Sequence, residues 1–187
     1  DPIADRYMLI TRTDLGEIGG VKESRATRIM IHEKNNDLKA HPTAWKTLTN
    51  VIIDDPEGKL TQNGVPVLQM ESMNIWVYEN IYFGLMHVLT AGEMTGSKGR
   101  VPVSDPDKRP DADVIDYYSG TSRNGKDFDM SWVYDRQPFI DRGPDSSFDK
   151  AMLQPSSQII TLGNEHFIYY TGQYARHHAP KSAQRES

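Results

Sequence analysis

The chain has 187 residues, 37% hydrophobic and 25% charged, which suits one globular domain with room for a core. Its net charge of −5 arises from 21 Lys and Arg scattered among 26 Asp and Glu, so nucleic acid is not an expected partner. The absence of cysteine excludes disulfides and thiolate metal sites, and no run of 18 apolar residues is available to span a membrane.

Taken in chain order, the segments read as strands. They are "RYMLITR" (6–12), "ATRIMIHE" (26–33), "NVIID" (50–54), "MNIWVY" (73–78) and "NIYFGLMHVLT" (80–90), then "DVIDYYSG" (113–120), "SQIITLG" (157–163) and "HFIYYTGQY" (166–174). Each is short, rich in Ile, Val, Tyr and Thr, and bounded by Gly, Asn, Asp or Pro. Helical periodicity is nearly absent, so the expected class is all-β. Glu79-Asn80 and Gly163-Asn164-Glu165 supply hairpin turns, because Asn and Gly tolerate positive φ. The Pro-, Gly- and Asp-rich stretch 94–113 reads as an exposed insertion, and 179–187 as a disordered tail after a single domain, 1–178. The chain opens on Asp1-Pro2 without a methionine, which suggests a missing upstream part.

Two segments repeat a pattern. "IHEKNNDLKAHPTAWKTL" (31–48) and "SGTSRNGKDFDMSWVYD" (119–135) each carry a strand end, an Asn-Asp or Asn-Gly turn, and a Trp about eight residues later, Trp45 or Trp132. A unit of this kind predicts four-stranded antiparallel blades ending on a Trp strand, stacked as a propeller or, as second choice, a β-sandwich. No G-x-S-x-G, H-E-x-x-H, G-x-x-x-x-G-K-S/T or G-x-G-x-x-G motif offers a rival chemistry.

The stretch Thr121-Ser122-Arg123-Asn124-Gly125…Trp132 is similar to a "TSxDGxxW" blade-closing turn. Pro138-Phe139…Gly143-Pro144…Ser147-Phe148-Asp149-Lys150-Ala151-Met152 follows, then Phe167-Ile168-Tyr169-Tyr170-Thr171-Gly172 and His177. Together they resemble the five-bladed β-propeller glycoside hydrolases related to families 32 and 43. "MNIWVYENIYFGLMHV" is similar to that family's "MPVFPYEGLYIGLLWV". Phe148 stands where the family has Trp, and Lys150-Ala151 where it has a small pair. The resemblance implies a partial propeller of about three blades, completed by a longer chain or by homo-oligomerisation. It also implies a carbohydrate substrate and inclines the location toward the periplasm or the cell exterior.

The same resemblance places Asp149 and Glu71 at matching strand entrances on a shared channel, as the paired carboxylates of glycoside hydrolysis. His177, Arg123 and Trp76 are its candidate substrate-binding residues. No cofactor or metal is expected, since His177-His178 lack acids at ligand spacing. Each residue has a plainer reading. Asp149 would cap a turn, Glu71 would be an edge charge, and Arg123 and Arg136 would pair with neighbouring Asp. Glu79 would be a solvated turn residue, His177 part of a fraying end, and Trp45 and Trp132 blade-packing residues. The alternative function is a carbohydrate-binding or scaffold propeller without catalysis.

Overall fold

A computed structural model describes residues 1–16, 25–33, 38–54, 61–62, 65–66, 68–90 and 113–177. Among them the chain is all-β. Ten strands run β1 (Arg6–Asp14), β2 (Arg25–Glu33), β3 (Lys46–Ile52), β4 (Thr61–Gln62), β5 (Val65–Pro66), β6 (Leu68–Tyr78), β7 (Ile81–Thr90), β8 (Val114–Ser122), β9 (Met152–Leu162) and β10 (Glu165–Gln173). One helical turn, α1 (Ser131–Tyr134), interrupts them. The insertion expected at 94–113 falls outside the described residues up to its last position. So do the Asn36-Asp37 turn, His178 and the tail 179–187.

The strands form a three-stranded sheet in the order β1-β2-β3, a five-stranded sheet in the order β10-β9-β8-β7-β6, and the small β4-β5 pair. Pairing is antiparallel throughout except for one parallel step, Ile115 opposite Met152 between β8 and β9. The β6–β7 hairpin turns on Glu79 and Asn80, both at positive φ (46° and 61°), the backbone of a two-residue turn whose twist matches its strands. Gly163 supplies the positive φ of the β9–β10 turn.

Strand alternation gives the five-stranded sheet two chemically different faces. On one, Met70, Met73, Met86, Val88 and Tyr118 are at most 2% exposed and pack against Ile29 and Val51 of the three-stranded sheet. Burying flexible Met side chains from both hairpin strands fills the irregular space between two twisted sheets. The other face carries Trp76, Phe83, Leu85, His87 and Tyr117, and the β9–β10 hairpin folds over part of it through Ile159 and Ile168.

The far side of β8 departs from the expected pattern. A continuous fourth strand ending on Trp132 is not formed. Thr121 pairs with Asp129, Tyr117 with Ile140, and Ile115 with Met152, so three separate pieces of chain occupy that side. Residues 131–134 turn into α1 because Asp129 accepts the Ser131 backbone N–H at 3.0 Å and the Ser131 hydroxyl, and Val133 is then buried completely. Gly120 permits this return: a Cβ there would lie 2.6 Å from the Asp129 carbonyl oxygen.

Candidate functional site

The turn at Glu79-Asn80 fixes the register of β6 against β7, setting Tyr78 opposite Ile81, Trp76 opposite Phe83 and Asn74 opposite Leu85. β8 extends these rungs with Thr121 beside Phe83 and Ser119 beside Leu85. Above them stand Trp132 from α1, Phe139 from the following loop, and His166 from β10. The result is a trough of about 390 Å³.

Its lining is both aromatic and polar. Trp76 stacks on Tyr78 at 5.1 Å and 15° and meets Phe83 at 5.2 Å. His166 stands edge-on to both Trp76 and Tyr78, at 4.8 and 4.6 Å, while its Nδ1 shares a 2.9 Å hydrogen bond with the Thr161 hydroxyl. Trp132 is 52% exposed. The polar groups of Ser119, Thr121, Asp129 and Ser131 also line the trough, Ser131 being next to Trp132 in α1. The Ser131 hydroxyl, and then its backbone N–H, hold the Asp129 carboxyl below its usual range, so it stays ionised.

One rung beyond the trough floor, Ser72, His87 and Tyr117 lie side by side on three strands of the same face. Ser72 Oγ is 2.9 Å from His87 Nδ1, and the His87 and Tyr117 rings meet at 5.7 Å. Among the described residues, neither His87 Nε2 nor the Tyr117 hydroxyl has a partner. Burial lowers His87 from 6.5 to about 4 and raises Tyr117.

Asp149 lies before β9 and is 6% exposed. It accepts hydrogen bonds from the Ser147 hydroxyl and, at 3.0 Å, from Tyr170. These bonds, Ser147 foremost and with backbone donors of Asp149 and Gly143 adding to them, outweigh desolvation and lower its pKa. The same contact raises Tyr170. Gly143 and Gly172 close around it, since a Cβ on either would overlap Asp149. Beside it opens a second cavity, about 640 Å³, lined by Asp116, Asp141, Asp145, Arg136, Arg142 and Lys150. Arg142 is bound there by Asp116 at 2.6 Å and by the Lys150 carbonyl at 2.8 Å.

Glu71 is the extra residue of a bulge in β6, where the register shifts between Met70 and Ser72. Its carboxylate is held by Arg12 at 2.8 Å and by Arg25, reaching it from β1 and β2. β7 and β8 lie between β6 and β9 in the sheet, and no hydrogen bond or ion pair among the described residues links Glu71 to Asp149. Neither carboxylate lines the trough or the charged cavity.

Of the other candidates, Trp76 belongs to the trough, Arg123 is exposed, and His177 donates its backbone N–H to the Asp113 carbonyl at 3.3 Å. Trp132 lines the trough instead of filling a blade core, a consequence of α1 replacing the expected strand. Trp45, half-buried, packs edge-on against His32 at 5.4 Å. Asp129, Phe83, Phe139 and His166 were not singled out from sequence. The two-residue turn at Glu79-Asn80 already pairs Trp76 with Phe83 and could have found that one.

Comparison with protein-family models, with curated proteins and with solved structures returned no match for the chain.

Proposed function

We propose that the chain binds carbohydrate in the aromatic trough, as a glycoside hydrolase-like β-propeller whose described sheets belong to neighbouring blades. The observation that carries this reading is the mixture of aromatic and polar groups that lines the trough. A pyranose ring offers an apolar C–H face to the negative faces of Trp76 and Trp132, and its hydroxyls to Asp129, Ser131 and Thr121. The face-to-face packing of the three- and five-stranded sheets through Ile29, Val51 and the buried Met residues supports the blade reading. β10, at the edge of its sheet, is where a further strand from more chain or from a second copy would pair.

Hydrolysis is the second reading, and the charged cavity beside Asp149 favours it. Cleavage requires one carboxyl poised to donate a proton and another ~5 to 9.5 Å away, with the raised pKa on the acid. Asp149, hydrogen-bonded and lowered, suits the ionised partner of such a pair. Glu71 is engaged by two arginines, and the acid would have to come from Asp141 or Asp145 at the cavity.

Titration calorimetry with a panel of plant and algal oligosaccharides, run beside a reducing-end assay, separates the two. Heat without new reducing ends supports binding alone. Turnover abolished by Asp149→Asn would establish hydrolysis, and silence in both assays would overturn the carbohydrate reading.

A further inference from the structure

Resting on the carbohydrate reading, we infer that the trough selects neutral pyranosides with adjacent free hydroxyls and rejects uronic acids, with Asp129 setting that preference. Among the described residues Asp129 is the one carboxylate that lines the trough, and no Lys or Arg lines it. Both Ser131 donors fall on Asp129 Oδ1, and among the described residues no donor reaches Oδ2. A carboxylate is an acceptor only, so a ligand group that replaces water at the exposed Oδ2 must donate, and a pair of neighbouring sugar hydroxyls does so without a countercharge.

A uronate sets a second carboxylate against Asp129 in a site walled by Trp76, Phe83, Trp132 and Phe139. No described lining residue supplies a cation to balance it, and because Asp129 is exposed the repulsion is felt most at low salt. The position of Asp129 is fixed from two sides. Its backbone N–H donates to the Thr121 carbonyl at 2.8 Å, and Gly120 leaves space for its own carbonyl. These contacts fix the Asp129 backbone, and the two Ser131 donors hold its carboxylate in place.

The contrast with the other cavity sharpens the point. The cavity beside Asp149 carries Arg136, Arg142 and Lys150 among its acids and could balance a ligand charge. The trough has nothing comparable.

The test uses oligosaccharide pairs that differ only in carrying a C6 hydroxymethyl or a C6 carboxylate, such as galacturonan fragments and the same fragments after chemical reduction of their C6 carboxyls. Binding is measured by calorimetry at low salt and pH 8 for the unmodified chain, Asp129→Asn and Trp132→Ala. The neutral member should bind at least tenfold more tightly than its acidic twin. Asp129→Asn should weaken the neutral member and bring the two within about threefold of each other. Equal affinities in the unmodified chain, or a preference that survives Asp129→Asn, would overturn the inference while leaving carbohydrate binding in place. Unchanged binding in Trp132→Ala would place the ligand outside the trough and overturn it equally. No binding of either member would remove the carbohydrate reading itself, and this inference with it.

Discussion

The two faces of the five-stranded sheet are built from the same hairpin and obey opposite rules. On the face toward the three-stranded sheet, alternate residues of β6 and β7 place Met73, Met86 and Val88 out of contact with water. On the reverse face the intervening residues are Trp76, Phe83, His87 and Tyr117, partly covered, with polar atoms that lack partners among the described residues. A single shift of strand register would exchange the two sets, so the register fixed by Glu79-Asn80 decides which face is core and which is available to a ligand. Stability should therefore respond to one face and recognition to the other.

The largest expected effect is on the sealed face. Met86→Ala should cost about 2–5 kcal/mol, the range for truncating a fully buried side chain, read as a lowered denaturant midpoint. Trp132→Ala, at an exposed position, should change stability by less than about 0.5 kcal/mol. Comparable losses from both would erase the distinction between the faces.

Next in size is the pH response of the recognition face. The unfolded His87 imidazole takes up a proton below 6.5, and the folded one only below about 4. The unfolded chain thus binds more protons between those limits, and stability falls as pH drops from 6.5 to 4, by about 3 kcal/mol in total. Urea midpoints at pH 7, 5.5 and 4.5 should show this slope, and His87→Leu should flatten it. Asp149 acts lower on the scale. Its depressed pKa gives stability that is present above its ordinary value of 3.8 and lost only as pH falls through the folded value. A slope between pH 7 and 4.5 untouched by His87→Leu would show that burial of a neutral His87 is not its source, since Asp149 acts below that window.

The smallest effect separates buried polar atoms from buried apolar ones. The Tyr117 hydroxyl has no partner among the described residues, so Tyr117→Phe removes an unmet hydrogen-bonding demand and no bond to them. Stability should stay within about 0.5 kcal/mol or rise slightly. A loss above about 1.5 kcal/mol would show that this hydroxyl is satisfied in the folded chain.

Strands were legible because their signals are local. The β6–β7 hairpin, the β9–β10 hairpin and β8 follow from β-branched and aromatic alternation between turn residues. The start of β9 was missed because Met152–Gln154 precede Pro155, which interrupts the apparent run, although Pro155 pairs with Tyr170 beside the irregularity in β10. Residues 131–134 misled for a different reason. Trp, Val and Tyr favour strands, and a short hydrogen-bonded turn at Asp129 overrode that preference. The site was less legible than the fold. Trp76 could be named from its strand, but Trp132, Phe139 and His166 reach it through long-range contacts. The resemblance pairs Asp149 and Glu71 as carboxylates on one channel, and only coordinates reveal that Ser147 and Tyr170 bind the first and two arginines the second.

The patchwork along the far side of β8 has a consequence for motion. A continuous fourth strand would open all at once, whereas Asp129, Ile140 and Met152 are held by separate, short contacts and can release one at a time. The β6–β7–β8 meander has its own full ladders and does not depend on them. Two of those detachable pieces carry Asp129, Trp132 and Phe139, which form the outer wall of the trough. Opening that wall would also withdraw Val133 of α1 from the core, so its release costs that burial in addition to the bridges. A molecule seated in the trough would hold the wall closed and slow the exchange of its amide hydrogens, while β7 behind it stays as protected as before.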